Sequence, residues 1–440
     1  MSEKYLAIRK QWLSACAAVL VINGLQVFVT NSTAHAQVVE GQVVDANGAP
    51  AYQVDPFWPK TLPNNWSMQQ VTGIGVDDMD IVWFLNRPNA PDALEIIAEH
   101  DPRAVLCCVI GPEIIALDQD GDVVHAWDRP HYPGWPGGLQ TVIADSQGYV
   151  WVGGTRPQES IQKFTRDGEL IWDFGHRVPE GVQWVENNQE VDEFAQKGRF
   201  QIDEVANEIY IIDQKRVVVF DDSTGEFKRG WGGHGMALSE ITKDPIPGYK
   251  WDGGQPAEEP NFVPALHFVE ISNDRLVYIG ERGQNRIQVF TTDGDWQQDI
   301  YVSPETPGQR ACGSDENKEI NGVAFMPNPC GTMYKMVISV DPEQKYLFVA
   351  DAMNNVIWSV DRRSGETLGH FGSPGRLAGQ LNFPNAIAMD SKGNIYTGEV
   401  QTGKRIQKFE PVMAVGRSVS YTHLRAHETD SYLVCRLLLE

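Results

Sequence analysis

The chain has 440 residues, 42% of them hydrophobic, and its 59 acidic against 36 basic side chains give a formal net charge of −23. So acidic a surface argues against nucleic acid or an anionic membrane as partner, because phosphates would be repelled. The length and apolar content allow a full core within one domain.

Lys4, Arg9 and Lys10 precede an apolar run from Leu13 to Val29, and Ala34-His35-Ala36 places small residues where a signal peptidase reads. Residues 1–36 are therefore expected to be a signal peptide cut before Gln37, giving a periplasmic or secreted product that does not stay on the membrane. A membrane anchor is the weaker reading, since Asn23, Gly24 and Gln26 interrupt the run. Leu13-Ser14-Ala15-Cys16 spells a lipoprotein box, but at the start of the run rather than its end.

From residue 37 a pattern returns six times, each copy ending on an Arg/Lys-Ile-Gln-x-Phe-like strand. A repeat of roughly 40 residues holding four short strands is the mark of a propeller blade. Blade one comprises Val71 to Val76, Ile81 to Leu85, Glu113 to Leu117 and Val123 to Trp127. Blade two runs from Gln140 to Phe174. Blade three reads as eroded, with strands only at Asn207 to Asp213, Arg216 to Phe220 and Phe227 to Trp231. Blade four is His267 to Val302, and blade five runs from about Lys335 to Phe371. Blade six starts at Asn385 and stops at Phe409, one strand short. The Asp-Gly and Ser-Lys-Gly pairs supply the positive φ that tight hairpins need. Ala51 to Asp55 can lend the missing outer strand, while Val38 to Pro50 reads equally as a disordered leader.

Four insertions, Pro88 to Pro112, His176 to Arg199, Gly232 to Pro260 and Ser303 to Tyr334, follow second or fourth strands. In a meander those links open on one face, so all four are expected at one mouth of the channel, as a binding surface or as a plug. Cys107, Cys108, Cys312 and Cys330 lie in two of them. An exported chain favours disulfides among them, in any of three pairings, with a Cys107–Cys108 bond disfavoured by strain. The tail from residue 418 is set apart. Val419 to Thr429 (VSYTHLRAHET) resembles a translated sequencing adapter. The propeller is thus expected over residues 37–417 and the adapter-derived tail over 418–440.

The repeats, with NRIQVF (Asn285 to Phe290) and KRIQKF (Lys404 to Phe409), resemble the NHL-repeat family of six-bladed all-β propellers. Within that family the comparison is with the peptidyl-α-hydroxyglycine α-amidating lyases. That resemblance implies a channel site with zinc on three histidines at the starts of innermost strands, assisted by a tyrosine and arginines. The corresponding residues here, five before the first-hairpin turn, are Gln140, His267 and Asn385, and Arg87 and Arg282 match the arginines. The tyrosine segment is shortened to IDQKRVVVF, and Ala386 stands where an acidic calcium ligand would be.

Neutral amide oxygens are poor zinc donors. No resident cofactor is therefore expected, with zinc or calcium as the departure, and the lyase reaction should be absent or vestigial. The polar set Arg87, Gln140, His267, Arg282 and Asn385 suits a carboxylate or a peptide end, since arginine offers a planar fork. Its bland alternative is a wet structural channel.

Asp213, Glu281, Asp351 and Glu399 recur at one repeat position, either as architecture or as the metal ring of a lactonase-like hydrolase. His125, His131, His176, His234 and His370 show no ligand spacing. HYPGWPGG (His131 to Gly138) can present aromatics to a sugar or fill a core. The expected function is a monomeric, exported propeller binding a small molecule or peptide at its channel mouth. The alternatives are an amidating-lyase-type or lactonase-like enzyme, or a protein-interaction scaffold.

Overall fold

The computed structural model describes residues 38–87, 93–98, 101–102, 105–128, 135–136, 138–155, 160–175, 187–191, 194, 198–242, 259–263, 266–282, 285–304, 319–320, 323–324 and 332–414. The expected signal peptide, the adapter-like tail, Cys312 and Cys330 lie outside them. No helix among the described residues is long and apolar enough to cross a membrane.

Six four-stranded antiparallel sheets form a ring of blades. Blade one consists of Gln70–Val76, Val82–Arg87, Ile114–Leu117 and Val123–Trp127, and blade two of Gly138–Ala144, Tyr149–Thr155, Ser160–Thr165 and Leu170–Asp173. Blade four consists of Leu266–Ile271, Leu276–Glu281, Arg286–Thr291 and Trp296–Tyr301, and blade five of Met333–Ile338, Tyr346–Asp351, Val356–Asp361 and Thr367–Phe371. The first strands of successive blades touch all the way round, blade six closing on blade one.

Blade three corrects the sequence reading. It is not eroded: Phe200–Asp203 forms its innermost strand, paired with Glu208–Asp213 and followed by Arg216–Asp221 and Phe227–Trp231. Its hairpin carries no glycine. Asn207, at φ 53°, supplies the left-handed conformation instead.

Blade six joins Pro384–Met389, Ile395–Glu399 and Ile406–Pro411 to Tyr52–Asp55 as the outer strand. Tyr52 faces Pro411 and Asp55 faces Lys408 in register. Residues 38–50 are ordered against the same edge: Gln42 bridges Met413, Val44 bridges Pro50, and Val38 is buried. The start of the chain thus removes an exposed sheet edge.

Second strands such as Val82–Arg87 and Tyr346–Asp351 are buried along nearly their whole length. Blades cover both of their faces, so the sequences VWFLN and YLFVAD show no apolar alternation. Among the described residues six apolar clusters stand one at each blade interface. Trp83 and Leu85 of blade one meet Leu139, Val142 and Phe164 of blade two. Val71, Phe84 and Ile115 meet Ala386 and Tyr396 of blade six across the closure. Each fully buried side chain of this size contributes about 1.5–3 kcal/mol.

The hairpin turns also lock blades together. Gly294, at φ +96°, lies on the Trp231 ring of the preceding blade, where an added Cβ would come within 2.8 Å. Gly168, at φ +88°, lies on Trp127 in the same way.

Candidate functional site

The innermost strands share an irregularity near their first residues. Their register slips between Val71 and Ile74, Leu139 and Thr141, Leu266 and Phe268, Met333 and Lys335, and Pro384 and Ala386. A bulge leaves its extra residue without a cross-strand partner and re-aims that side chain. The extra residues are Thr72 with Gly73, Gln140, His267, Tyr334 and Asn385. In blade three Arg199 holds the same place, its carbonyl accepting the Ile212 N–H at 3.2 Å.

All six line one cavity of about 220 Å³ in the central channel. Gln140, His267 and Asn385 are therefore brought together. Thr72, Arg199 and Tyr334 complete the ring and were missed in the sequence. The signal was there: Thr72, Arg199 and Tyr334 stand five residues before Asp77, Glu204 and Ser339, as Gln140 does before Asp145.

These residues lie at the end of the ring where innermost strands begin and second strands finish, as the pairing of Gln70 with Arg87 and Leu266 with Glu281 shows. The described ends of the four insertions leave from that same end. Cys107 there is exposed and Cys108 half-buried.

His267 is buried and both ring nitrogens are engaged. Nδ1 donates to the Tyr334 carbonyl at 2.6 Å. Nε2 lies 3.1 Å from Nη2 of Arg199. An arginine is always a donor, so Nε2 is the acceptor and the imidazole is neutral. Burial pushes the pKa of His267 well below its ordinary value, and the neighbouring Arg199 and Arg282 push it the same way.

Arg282 donates through Nη1 to the Tyr334 hydroxyl at 3.2 Å, with its guanidinium carbon 5.2 Å from that ring. Burial raises the Tyr334 phenol pKa, opposed by Arg282. Arg87 donates through Nη2 to the Leu139 carbonyl at 2.6 Å, and burial lowers its pKa.

Arg87 and Arg282 hold equivalent places in blades one and four, opposite each other in a six-membered ring, and each reaches toward the following blade. Each stands one strand outside the channel wall and keeps a buried Nε that has no hydrogen-bond partner among the described residues. Deeper in the channel, Glu270 accepts from Lys335 Nζ and, at 2.8 Å, from Gln201 Nε2.

The zinc set implied by the lyase resemblance does not fit these residues. His267 is the sole imidazole of the ring, its Nε2 faces a guanidinium, and two flanking positions are amides. Among the described residues no group of three His, Cys, Asp or Glu side chains is placed to hold a metal.

The repeated acids serve the architecture. Glu281 accepts from Arg286 Nε at 2.7 Å, Gln288 Nε2 at 2.9 Å and the Val263 N–H at 2.6 Å. Glu399 accepts from Arg405, Gln407 and the Asn382 N–H, and Asp213 from Arg216. Asp351 holds Thr332, Asn354 and Trp358. The Arg and Gln of the Arg-Ile-Gln motif are thus the partners of the preceding acid.

Other candidates lie elsewhere. His125 pairs with Asp167 and stacks on Trp83, His234 pairs with Asp299 and stacks on Trp296, and His370 packs on Trp358. Trp135 of the HYPGWPGG stretch is buried between blades one and two, so it is core. His131 and His176 lie outside the described residues.

No family model matches the chain. It is 23% identical over 312 residues to human NHL repeat-containing protein 3, a stretch covering 68% of this chain and 73% of that protein. Among solved structures, a protein of unknown function from Bacteroides thetaiotaomicron aligns at 14% identity over 82% of this chain and 76% of its own, with a TM-score of 0.47. An inactive variant of virginiamycin B lyase from Staphylococcus aureus with quinupristin aligns at 14% identity over 82% and 89%, with a TM-score of 0.41. The fold is a six-bladed β-propeller, and its sequence is similar to that of an NHL repeat-containing protein.

Proposed function

We propose that this chain is an exported propeller that takes a small ligand, or the end of a peptide, into the loop-rich mouth of its central channel. One observation carries the reading: six positions at the starts of the innermost strands, one per blade and five of them bulged, converge on a single cavity. Two of them, Gln140 and Asn385, have side-chain amides that make no hydrogen bond among the described residues. Uncommitted amides in a concave polar site are available to a ligand, and a few placed polar groups are what fix a ligand's orientation.

The cavity, at about 220 Å³, falls below the range of about 300–1,000 Å³ usual for drug-sized ligands. It suits a small molecule or one terminal group of a larger one. Arg87 and Arg282 back the ring with positive charge, which matches a carboxylate better than a cation.

The test is a thermal-shift screen of small acids, sugars and peptides, repeated with Gln140→Ala and Asn385→Ala. Ligands of the channel should lose their stabilising effect in both variants. Retention of full binding in both, with loss on shortening the insertions, would transfer the activity to the loops and support a scaffold instead.

A further inference from the structure

The ring divides by chemistry. Blades three, four and five contribute Arg199, His267 and Tyr334, with Arg282 and Lys335 beside them, while blades six, one and two contribute Asn385, Thr72 and Gln140. The first sector is a connected chain. Arg199 donates to His267, His267 donates to the backbone of Tyr334, and the Tyr334 hydroxyl accepts from Arg282.

We infer that His267 is a positioning residue: its Nε2 lone pair aims the Arg199 guanidinium in the channel, making this sector a seat for a carboxylate-type anion rather than for a metal ion. The inference rests on the reading that the channel mouth is a binding site, and it names the chemistry of that site.

The geometry bears this out step by step. The Tyr334 carbonyl can only accept, so it fixes the proton on Nδ1. Nε2 then presents a lone pair, the atom that would otherwise bind a metal. Arg199 occupies it. A divalent ion at Nε2 would have to displace that guanidinium and then sit beside it, with Arg282 and Lys335 close by. Among the described residues the acid that lines the cavity is Glu270, and it is held by Lys335 and Gln201. A planar anion meets the reverse situation: Arg199 lines the cavity, Arg282 carries a buried Nε with no hydrogen-bond partner among the described residues, and the Tyr334 hydroxyl accepts from Arg282. Charge-assisted bonds of this kind are the stronger class.

The experiment uses the full chain, nitrogen-15 NMR of its imidazoles, and two probes, acetate and zinc chloride. In the wild type His267 should show a protonated Nδ1 and an unprotonated, hydrogen-bonded Nε2 at neutral pH. Acetate should move the Nε2 resonance and zinc should not. Arg199→Gln should shift Nε2 toward its unbonded value and weaken acetate binding about tenfold or more, the loss expected for one charge-assisted bond. His267→Leu should weaken acetate similarly, while His267→Gln, whose amide oxygen still accepts, should restore most of the affinity. Equal losses in the Leu and Gln variants would mean a merely structural histidine and overturn the proposal. So would stoichiometric zinc on Nε2 of the wild type, or acetate binding indifferent to Arg199→Gln. A ligand that depends on Gln140 and Asn385 while acetate ignores Arg199 would sink this inference and leave the broader reading standing. Acetate held by Arg199 with no ligand sensitive to the amides would do the opposite.

Discussion

Arg286 donates through Nε to Glu281 Oε1 at 2.7 Å, with both side chains fully shielded from water. The pair ties the third strand of blade four to the second, and Glu281 also holds the Val263 N–H of the incoming segment. Removing one partner strands a buried charge, which costs about 3–5 kcal/mol. Arg286→Met should lower stability by that order in urea unfolding, and the double variant with Glu281→Leu should recover a substantial part. A double variant as unstable as the sum of the single ones would show that the two residues do not act as a pair.

His267 predicts a pH dependence of stability. Its native pKa lies well below the ordinary 6.5 because it is buried beside Arg199. The unfolded chain, with a histidine of ordinary pKa, then binds a proton that the native state refuses. This contribution is fully present above pH 6.5 and is lost as pH falls from there toward the native value, at up to about 1.4 kcal/mol per pH unit. Urea midpoints measured across that window should fall on acidification in the wild type and fall less in His267→Gln. Parallel slopes would contradict the assignment.

Gly294 and Gly175 form a matched pair. Both have positive φ, +96° and +70°, but a Cβ at Gly294 meets the Trp231 ring at 2.8 Å while one at Gly175 meets no described atom within 4 Å. Gly175→Ala should cost about 1 kcal/mol, the backbone term alone, and Gly294→Ala about 1–3 kcal/mol more for forcing the ring aside. Thermal unfolding of the two variants reads the difference. Equal costs would mean that the glycine-on-tryptophan contact has no steric content.

Tyr52–Asp55 completes blade six against Ile406–Pro411. Deleting residues 37–55 should bare the 406–411 edge and uncover Phe348, Phe371 and Phe409, against which Tyr52 and Val54 pack. Size-exclusion chromatography should then show self-association through the open edge, together with a large fall in Tm. A monomeric deletion variant melting near the wild type would rule out the closure as a stabilising element.

Five blades were legible because most of their second strands are apolar runs and their turns carry Asp-Gly, Ser-Lys-Gly or, in blade five, Ser-Gly. Blade three hid its first strand. Phe200–Asp203 is short, only partly apolar, follows directly on an insertion, and turns through Asn207 rather than glycine. Half of the channel ring was read by comparison with a lyase that uses three blades. The bulge that aims a residue inward occurs in blades one and five too, and Arg199 holds the same place in blade three, so Thr72, Arg199 and Tyr334 needed only the same five-residue offset. The bond from Arg199 to His267 was beyond reach, since it joins residues 68 positions apart on different blades.

The outer strand of the last blade is the first part of the ring to leave the ribosome. It cannot find its place until the final repeat has been made, so the ring's earliest strand in chain order pairs with its latest. Until then the growing molecule is an open arc with two adhesive ends, and two such arcs can seal each other as readily as one can seal itself. The rate at which the ring shuts, measured against the concentration of unfinished neighbours, therefore decides between one propeller and a tangled pair.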